Sequence, residues 1–185
     1  MQERIIFAGF GGQGVLFMGK LLSFSMMNAG KNVTYIPSYG AEMRGGTANC
    51  HVIVSDSIIA SPLVTKATTA VVMNQPSYEK FKSKVEEGGY LFVNSSLIEL
   101  KDPPKNVNII PIPVTEIAHK LGSVRLANMI MFGALNAIKK FMPTDFLFSQ
   151  IPDFLGTGKI KYLDENKNAI LEGEKLALEI LSKKS

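Results

Sequence analysis

Short apolar runs rich in β-branched residues alternate along this chain with stretches whose apolar positions recur every three or four residues, the pattern of strands alternating with helices. Residues 4–8 form the first run and end in a glycine cluster. From 15 to 28, Val15, Leu16, Met18, Leu22 and Met26 keep helical spacing, and Ala29-Gly30 supplies a stop. Further strands are expected at 33–36, halted by Pro37, and at 49–55, 70–74, 90–94 and 108–112. Helices are expected over 76–87, where Pro76 suits a first turn, over 115–120, and over 126–141, broken by Pro143. The tail, 164–184, sets Ala169, Leu171, Leu176, Leu178, Ile180 and Leu181 among acids and lysines, which predicts an amphipathic terminal helix. Together these elements predict an α/β fold. It would be a Rossmann-like, doubly wound, mostly parallel sheet in a single domain over 1–185, with a C-terminal helix.

Composition narrows the function classes. With 185 residues, 46% of them hydrophobic, the chain can bury one sizeable core. A net charge of +4 is small and scattered, so nucleic acid is not an expected partner. A lone cysteine, Cys50, rules out an internal disulfide framework and any cluster site built from several thiolates of this chain, and it points to a reducing compartment. The amino terminus reads as a strand rather than a leader, and no run approaches the ~20 apolar residues of a membrane helix. A soluble, cytoplasmic protein without a membrane partner is expected.

Charge is unevenly spread. Of 20 basic and 16 acidic residues, only Glu3, Arg4, Lys20, Lys31, Glu42, Arg44, Asp56 and Lys66 fall within the first 78 positions. Two explanations are compatible with this. The segment holds sheet strands buried on both faces, or it presents the charge-depleted, Met- and Tyr-rich core of a subunit interface through Met18, Met26, Met27, Met43, Tyr35 and Tyr39.

Two segments carry candidate chemistry. Gly9-Phe10-Gly11-Gly12-Gln13-Gly14 has the G-x-G-x-x-G spacing between a strand and a helix, where glycines permit a tight turn and close approach of an anion to the helix start. Nucleotide hydrolysis is not expected without a G-K-[ST] ending. The next strand ends at Pro37-Ser38 with no acid for a ribose hydroxyl, which disfavours a nicotinamide or flavin dinucleotide. Three readings remain: a packing turn, an anion site, or a partner-facing loop. The second segment runs from Pro37 to Cys50 and includes Tyr39, Gly40, Glu42, Met43, Arg44, Gly45, Gly46 and Thr47. In a doubly wound sheet it leaves the same edge as the glycine loop, so the two should meet. Arg44 there could clamp a phosphate or carboxylate, pair with Glu42, or anchor a partner, and the partner contact is favoured.

The pairing of GFGGQG at 9–14 with PSYGAEMRGGTANCHVIVSD at 37–56 resembles the gamma subunit, or gamma domain, of the 2-oxoacid:ferredoxin oxidoreductases, and the likeness runs over nearly the whole chain. The form Glu42-Met43-Arg44-Gly45-Gly46-Thr47-Ala48-Asn49 looks most like the 2-oxoglutarate enzymes. The resemblance implies a multi-subunit enzyme that decarboxylates a 2-oxoacid on thiamine diphosphate with magnesium. Electrons pass through iron–sulfur clusters to ferredoxin, and the acyl group goes to coenzyme A. It implies that this chain carries no catalytic residue and no metal, those tasks falling to alpha, beta and delta subunits. Gly9, Gly11, Gly12, Gln13, Gly14, Tyr39, Gly40, Glu42, Met43, Arg44, Gly45, Gly46 and Thr47 would then form cofactor-binding or subunit-junction loops, and the isolated chain would be inactive and self-associate. Alternatives are a gamma-type subunit of a pyruvate or indolepyruvate enzyme, and a free-standing phosphate- or nucleotide-binding domain. His51 and Cys50 read as core residues, 94–96 as a crevice lining or a cap, and 154–159 as a surface or partner-binding loop.

Overall fold

The computed structural model describes residues 2–38, 47–156 and 162–183. The chain divides into two compact units, Met1–Pro113 and Val114–Ser185. The first holds a six-stranded sheet in the order β2-β3-β1-β4-β5-β6. Its strands are β1 (Gln2–Phe10), β2 (Asn32–Ser38), β3 (Thr47–Ser55), β4 (Ala67–Val72), β5 (Val85–Asn94) and β6 (Asn108–Ile112). β1 pairs in parallel with β4, β4 with β5 and β5 with β6. β3 is antiparallel to both β1 and β2, so it alone runs against the other five. The sheet is the mostly parallel α/β architecture the pattern predicts, with one departure. β2 does not lie beside β1, because β3 folds back between them.

Each face of this sheet takes a helix. α1 (Val15–Asn28) packs over β1, β2 and β3. Its Gly19 lies so close to β3 that an added Cβ would collide with Cys50 Sγ and sit 3.1 Å from the Tyr35 ring. Cys50 and Val52 are cross-strand partners of Phe7 and Ile5, so these four share the α1 face. The other face buries Ile6, Ala8, Ile53, Ala70, Val72, Leu91 and Val93 against Tyr78 and Phe81 of α2 (Gln75–Phe81). With β1 buried on both faces from Ile5 to Ala8, its run of apolar residues needs no alternation.

The boundaries follow local chemistry. α1 ends in a Schellman motif: Gly30, at φ 79°, donates from its N–H to Met27 O, and Lys31 N–H donates to Met26 O. Pro37 does not halt β2, which continues to Ser38. β2 is an edge strand, where a missing amide hydrogen is tolerated. The helix expected over 76–87 is shorter. Asn74 caps it by accepting from Ser77 N–H, it tightens into a 3-10 turn at Lys82–Lys84, and β5 begins at Val85.

The second unit is helical: α3 (Val114–Lys120), α4 (Ala127–Lys139), α5 (Thr144–Leu155) and α6 (Leu163–Ser182). α4 stops at Lys140, in the left-handed region at φ 52°, before Pro143 is reached. The Asn136 side chain then closes the turn by donating to Met142 O and accepting from Met142 N–H. α5 is a helix that the apolar pattern did not announce. α4 and α6 cross at glycine: a Cβ on Gly133 would collide with the Ile170 backbone, and one on Gly173 with the Ile130 backbone. No described helix is long and apolar enough to cross a membrane.

Candidate functional site

The glycine loop joins β1 to α1 at the carboxyl edge of the parallel strands. Two of its glycines are needed for their backbone angles: Gly12 at φ 99° and Gly14 at φ 73°, where it precedes the helix without a side-chain cap. Gly9 is needed for space. A Cβ there would meet Gln13 Oε1 at 2.7 Å and Val15 Cγ1 at 2.8 Å.

That space is occupied by Gln13, whose side chain folds back under the loop. Its Oε1 accepts from Phe10 N–H at 2.7 Å and from Asn74 Nδ2 at 3.2 Å, while its Nε2 donates to Met73 O at 3.1 Å. The Gln13 N–H donates in turn to Phe10 O. Asn94, at the end of β5, donates from Nδ2 to the same Met73 carbonyl, and Met73 N–H donates to Ala8 O. The ends of β1, β4 and β5 are therefore laced together by side-chain amides. Asn74 belongs to this belt, and its signal was present in the sequence: an Asn just before Gln75-Pro76 is an N-cap pattern. Asn94 fills the crevice edge as a structural tie, and Ser95 N–H donates to Ile112 O.

This arrangement departs from that of a dinucleotide-binding fold. In a dinucleotide-binding fold the strand adjacent to β1 ends in an acid that takes the ribose hydroxyls. Here the strand in that place is β3, which runs the other way and begins at Thr47 beside Phe10. Two of the loop amides, Phe10 and Gln13, already donate within the loop. What faces outward is Phe10, 37% exposed, with Gly11 and Gly12.

Of the second motif, Tyr39, Gly40, Glu42, Met43, Arg44, Gly45 and Gly46 lie outside the described residues. Of its two described ends, one lies on the strand beside the glycine loop's strand and the other one strand further out. Ser38 closes β2 and Thr47 opens β3, with Thr47 the register partner of Phe10 and Ala48 that of Gly9. Residues 157–159 of the other glycine-containing stretch also lie outside the described residues.

Cys50 is fully buried, its thiol set against Val15 O, and burial pushes its pKa up to about 12. It therefore has neither the exposure nor the thiolate character of a nucleophile or metal ligand. Among the described residues no group of three or more His, Cys, Asp or Glu is placed to hold a metal ion. His51 differs from its expected place in the core. It is half-buried and lines a cleft with Ser38, Asn49, Lys80 and Lys84, and burial together with the two lysines lowers its pKa.

The site is thus a Rossmann-like glycine turn tied from within and exposed at its tip, on a sheet whose β3 strand is reversed. The residue pattern of the pyruvate ferredoxin/flavodoxin oxidoreductase family matches residues 4–176, and the chain belongs to that family. It is 35% identical over 178 residues to the ketoisovalerate oxidoreductase subunit VorA of Methanothermobacter thermautotrophicus, covering 96% of this chain and 37% of that protein. This chain thus spans little more than a third of that relative's length. It is 32% identical to the 2-oxoglutarate synthase subunit KorC of Methanocaldococcus jannaschii, covering 97% of this chain and 96% of that one. Among solved structures, the gamma subunit of a keto/oxoacid ferredoxin oxidoreductase from Geobacter sulfurreducens superposes with a TM-score of 0.79 at 25% identity, covering 95% of this chain and 98% of that one. The 2-oxoglutarate:ferredoxin oxidoreductase of Magnetococcus marinus, solved with 2-oxoglutarate, coenzyme A and succinyl-CoA bound, superposes with a TM-score of 0.87 at 26% identity. There the match covers 95% of this chain and 31% of that one.

Proposed function

We propose that this chain is the gamma subunit of a multi-subunit 2-oxoacid:ferredoxin oxidoreductase acting on 2-oxoglutarate. In the assembly, 2-oxoglutarate and coenzyme A yield succinyl-CoA and carbon dioxide, and the electron pair passes to ferredoxin. The observation that carries this reading is the end-to-end correspondence with the 2-oxoglutarate synthase subunit, which has nearly the same length as this chain. Thiamine diphosphate, magnesium and the iron–sulfur clusters belong to alpha, beta and delta partners. The one thiol of this chain is buried and protonated, which supports cluster ligation by partner chains. This chain's part is architectural. Its glycine loop, together with the segment from Tyr39 to Gly46, forms a subunit junction near the entry of coenzyme A, in the cytoplasm and within one domain-sized gamma module.

Co-expression with the alpha, beta and delta chains tests this. The assembly is expected to reduce ferredoxin with 2-oxoglutarate and coenzyme A, while the chain alone gives no turnover. Failure to form a stable complex contradicts the reading. Relatives named for ketoisovalerate and indolepyruvate make the oxoacid a separate question. A substrate profile with 2-oxoglutarate, pyruvate, 2-ketoisovalerate and indolepyruvate answers it. Within the assembly, Arg44→Ala is expected to weaken association or raise the coenzyme A requirement, and unchanged assembly and kinetics would remove Arg44 from the junction.

A further inference from the structure

A cleft of about 320 Å³ opens where β2 and β3 face the second half of α2. On the sheet side it is lined by two cross-strand pairs, Ile36 with His51 and Ser38 with Asn49. Lys80 and Phe81 of α2 and Lys84 of the following 3-10 turn close the other side. The two ammonium groups stand over one ring: Lys80 Nζ is 5.3 Å from the Phe81 centroid and Lys84 Nζ 5.9 Å. Their neighbour Lys82 is paired with Glu79, whereas no described carboxylate pairs with Lys80 or Lys84. Among the described residues, no acid lines the cleft.

Two cations and an imidazole have thus been gathered into one concavity with no compensating carboxylate among the described residues. Like charges at such spacing repel, and an anion seated among them relieves the repulsion. Lysine ammoniums act as point charges suited to phosphate, and Ser38 and Asn49 supply neutral hydrogen-bonding groups beside them. The remaining wall is apolar, formed by Ile36, Phe81 and Leu63, the last 69% exposed. The volume falls within the range of small-molecule sites, ~300–1,000 Å³. We propose that this cleft binds a small organic phosphate ester, its phosphate between Lys80, Lys84 and His51 and its organic body on Phe81 and Leu63. The site stands on residues other than the glycine loop and does not depend on the subunit assignment.

The chain has only two histidines, so the imidazole signals report the site directly, with His119 on α3 as the internal control. Among the described residues, the charges facing His51 are Lys80 and Lys84. Its register partners on β1 and β2, Ile6 and Ile36, are neutral. Titrating the full chain with phenyl phosphate, inorganic phosphate and acetate, followed by NMR, is the test. Phenyl phosphate is expected to shift His51 saturably, to raise its pKa, and to leave His119 unmoved. Inorganic phosphate should bind about threefold more weakly, for want of apolar contact, and acetate more weakly still. The double variant Lys80→Ala/Lys84→Ala should lose about tenfold in phenyl phosphate affinity, whereas Lys105→Ala should lose none. A thermal melt checks that both variants remain folded. No saturable shift at His51, or equal affinity in the double variant, overturns the site, and equal affinity for phenyl phosphate and inorganic phosphate overturns the organic body.

Discussion

Burial keeps the Cys50 thiol protonated, and that has a consequence for stability. Its pKa is raised to about 12 from an ordinary 9.0, so above pH 9 the unfolded chain releases a proton that the folded chain retains. Stability should therefore fall with rising pH between about 9 and 12, by up to ~1.4 kcal/mol per pH unit from this group. Chemical denaturation across that range checks the slope, and Cys50→Ala should flatten it. His51 works in the opposite sense. Its pKa is lowered, so the unfolded state binds the extra proton below pH 6.5, and this group's contribution is present at neutral pH and lost on acidification. Gln13→Ala would remove three side-chain hydrogen bonds and leave Met73 O and Asn74 with fewer partners, at a cost of about 1–3 kcal/mol in a denaturant melt. Cys50 as a small buried hydrophobe was legible from its apolar strand. The surroundings of His51 were not, since Lys80 and Lys84 arrive from a distant helix and no local pattern announces them.

Among the elements, α1 was legible to the residue because glycines bracket it, Gly14 before and Gly30 after. The direction of β3 was not. Apolar alternation fixes which face a residue occupies, but strand partners are chosen by non-local pairing, and a hairpin or a crossover leaves the same local pattern. α5 was missed because prolines bound and punctuate it: Pro143 stands at its cap and Pro152 within its last turn. The glycines make the packing testable. Gly19→Ala drives a methyl into Cys50 Sγ, a side-chain neighbour with little room, and should cost about 1–3 kcal/mol. Gly173→Ala meets the Ile130 backbone instead, which cannot turn aside, so it should cost more than Gly19→Ala in the same thermal melt. Gly12→Ala meets no neighbour and pays only for its positive φ, about 1 kcal/mol.

For the whole molecule, the scarcity of charge in the first 78 residues has one internal cause: β1 and β3 are buried, β1 on both faces. That does not account for Ile58, 88% exposed, or Met27, 62% exposed, in the same charge-poor stretch. Under the proposed assembly such residues are covered by neighbouring subunits. Ile58→Lys and Met27→Lys should then leave the isolated fold within about 0.5 kcal/mol of its stability, while reducing self-association of the free chain and its capture by the other subunits, as read by sedimentation and co-purification. The glycine loop was visible in the sequence as a strand-to-helix turn. Its internal lacing through Gln13, Asn74 and Asn94 was not, because those residues converge only once β1, β4 and β5 lie side by side. Native mass spectrometry of the material that co-purifies with this chain at its natural expression level tests the account at its centre. The predicted result is a stoichiometric assembly with larger subunits that carries thiamine diphosphate and iron–sulfur clusters and converts 2-oxoglutarate with coenzyme A. A single unaccompanied chain under those conditions would contradict it.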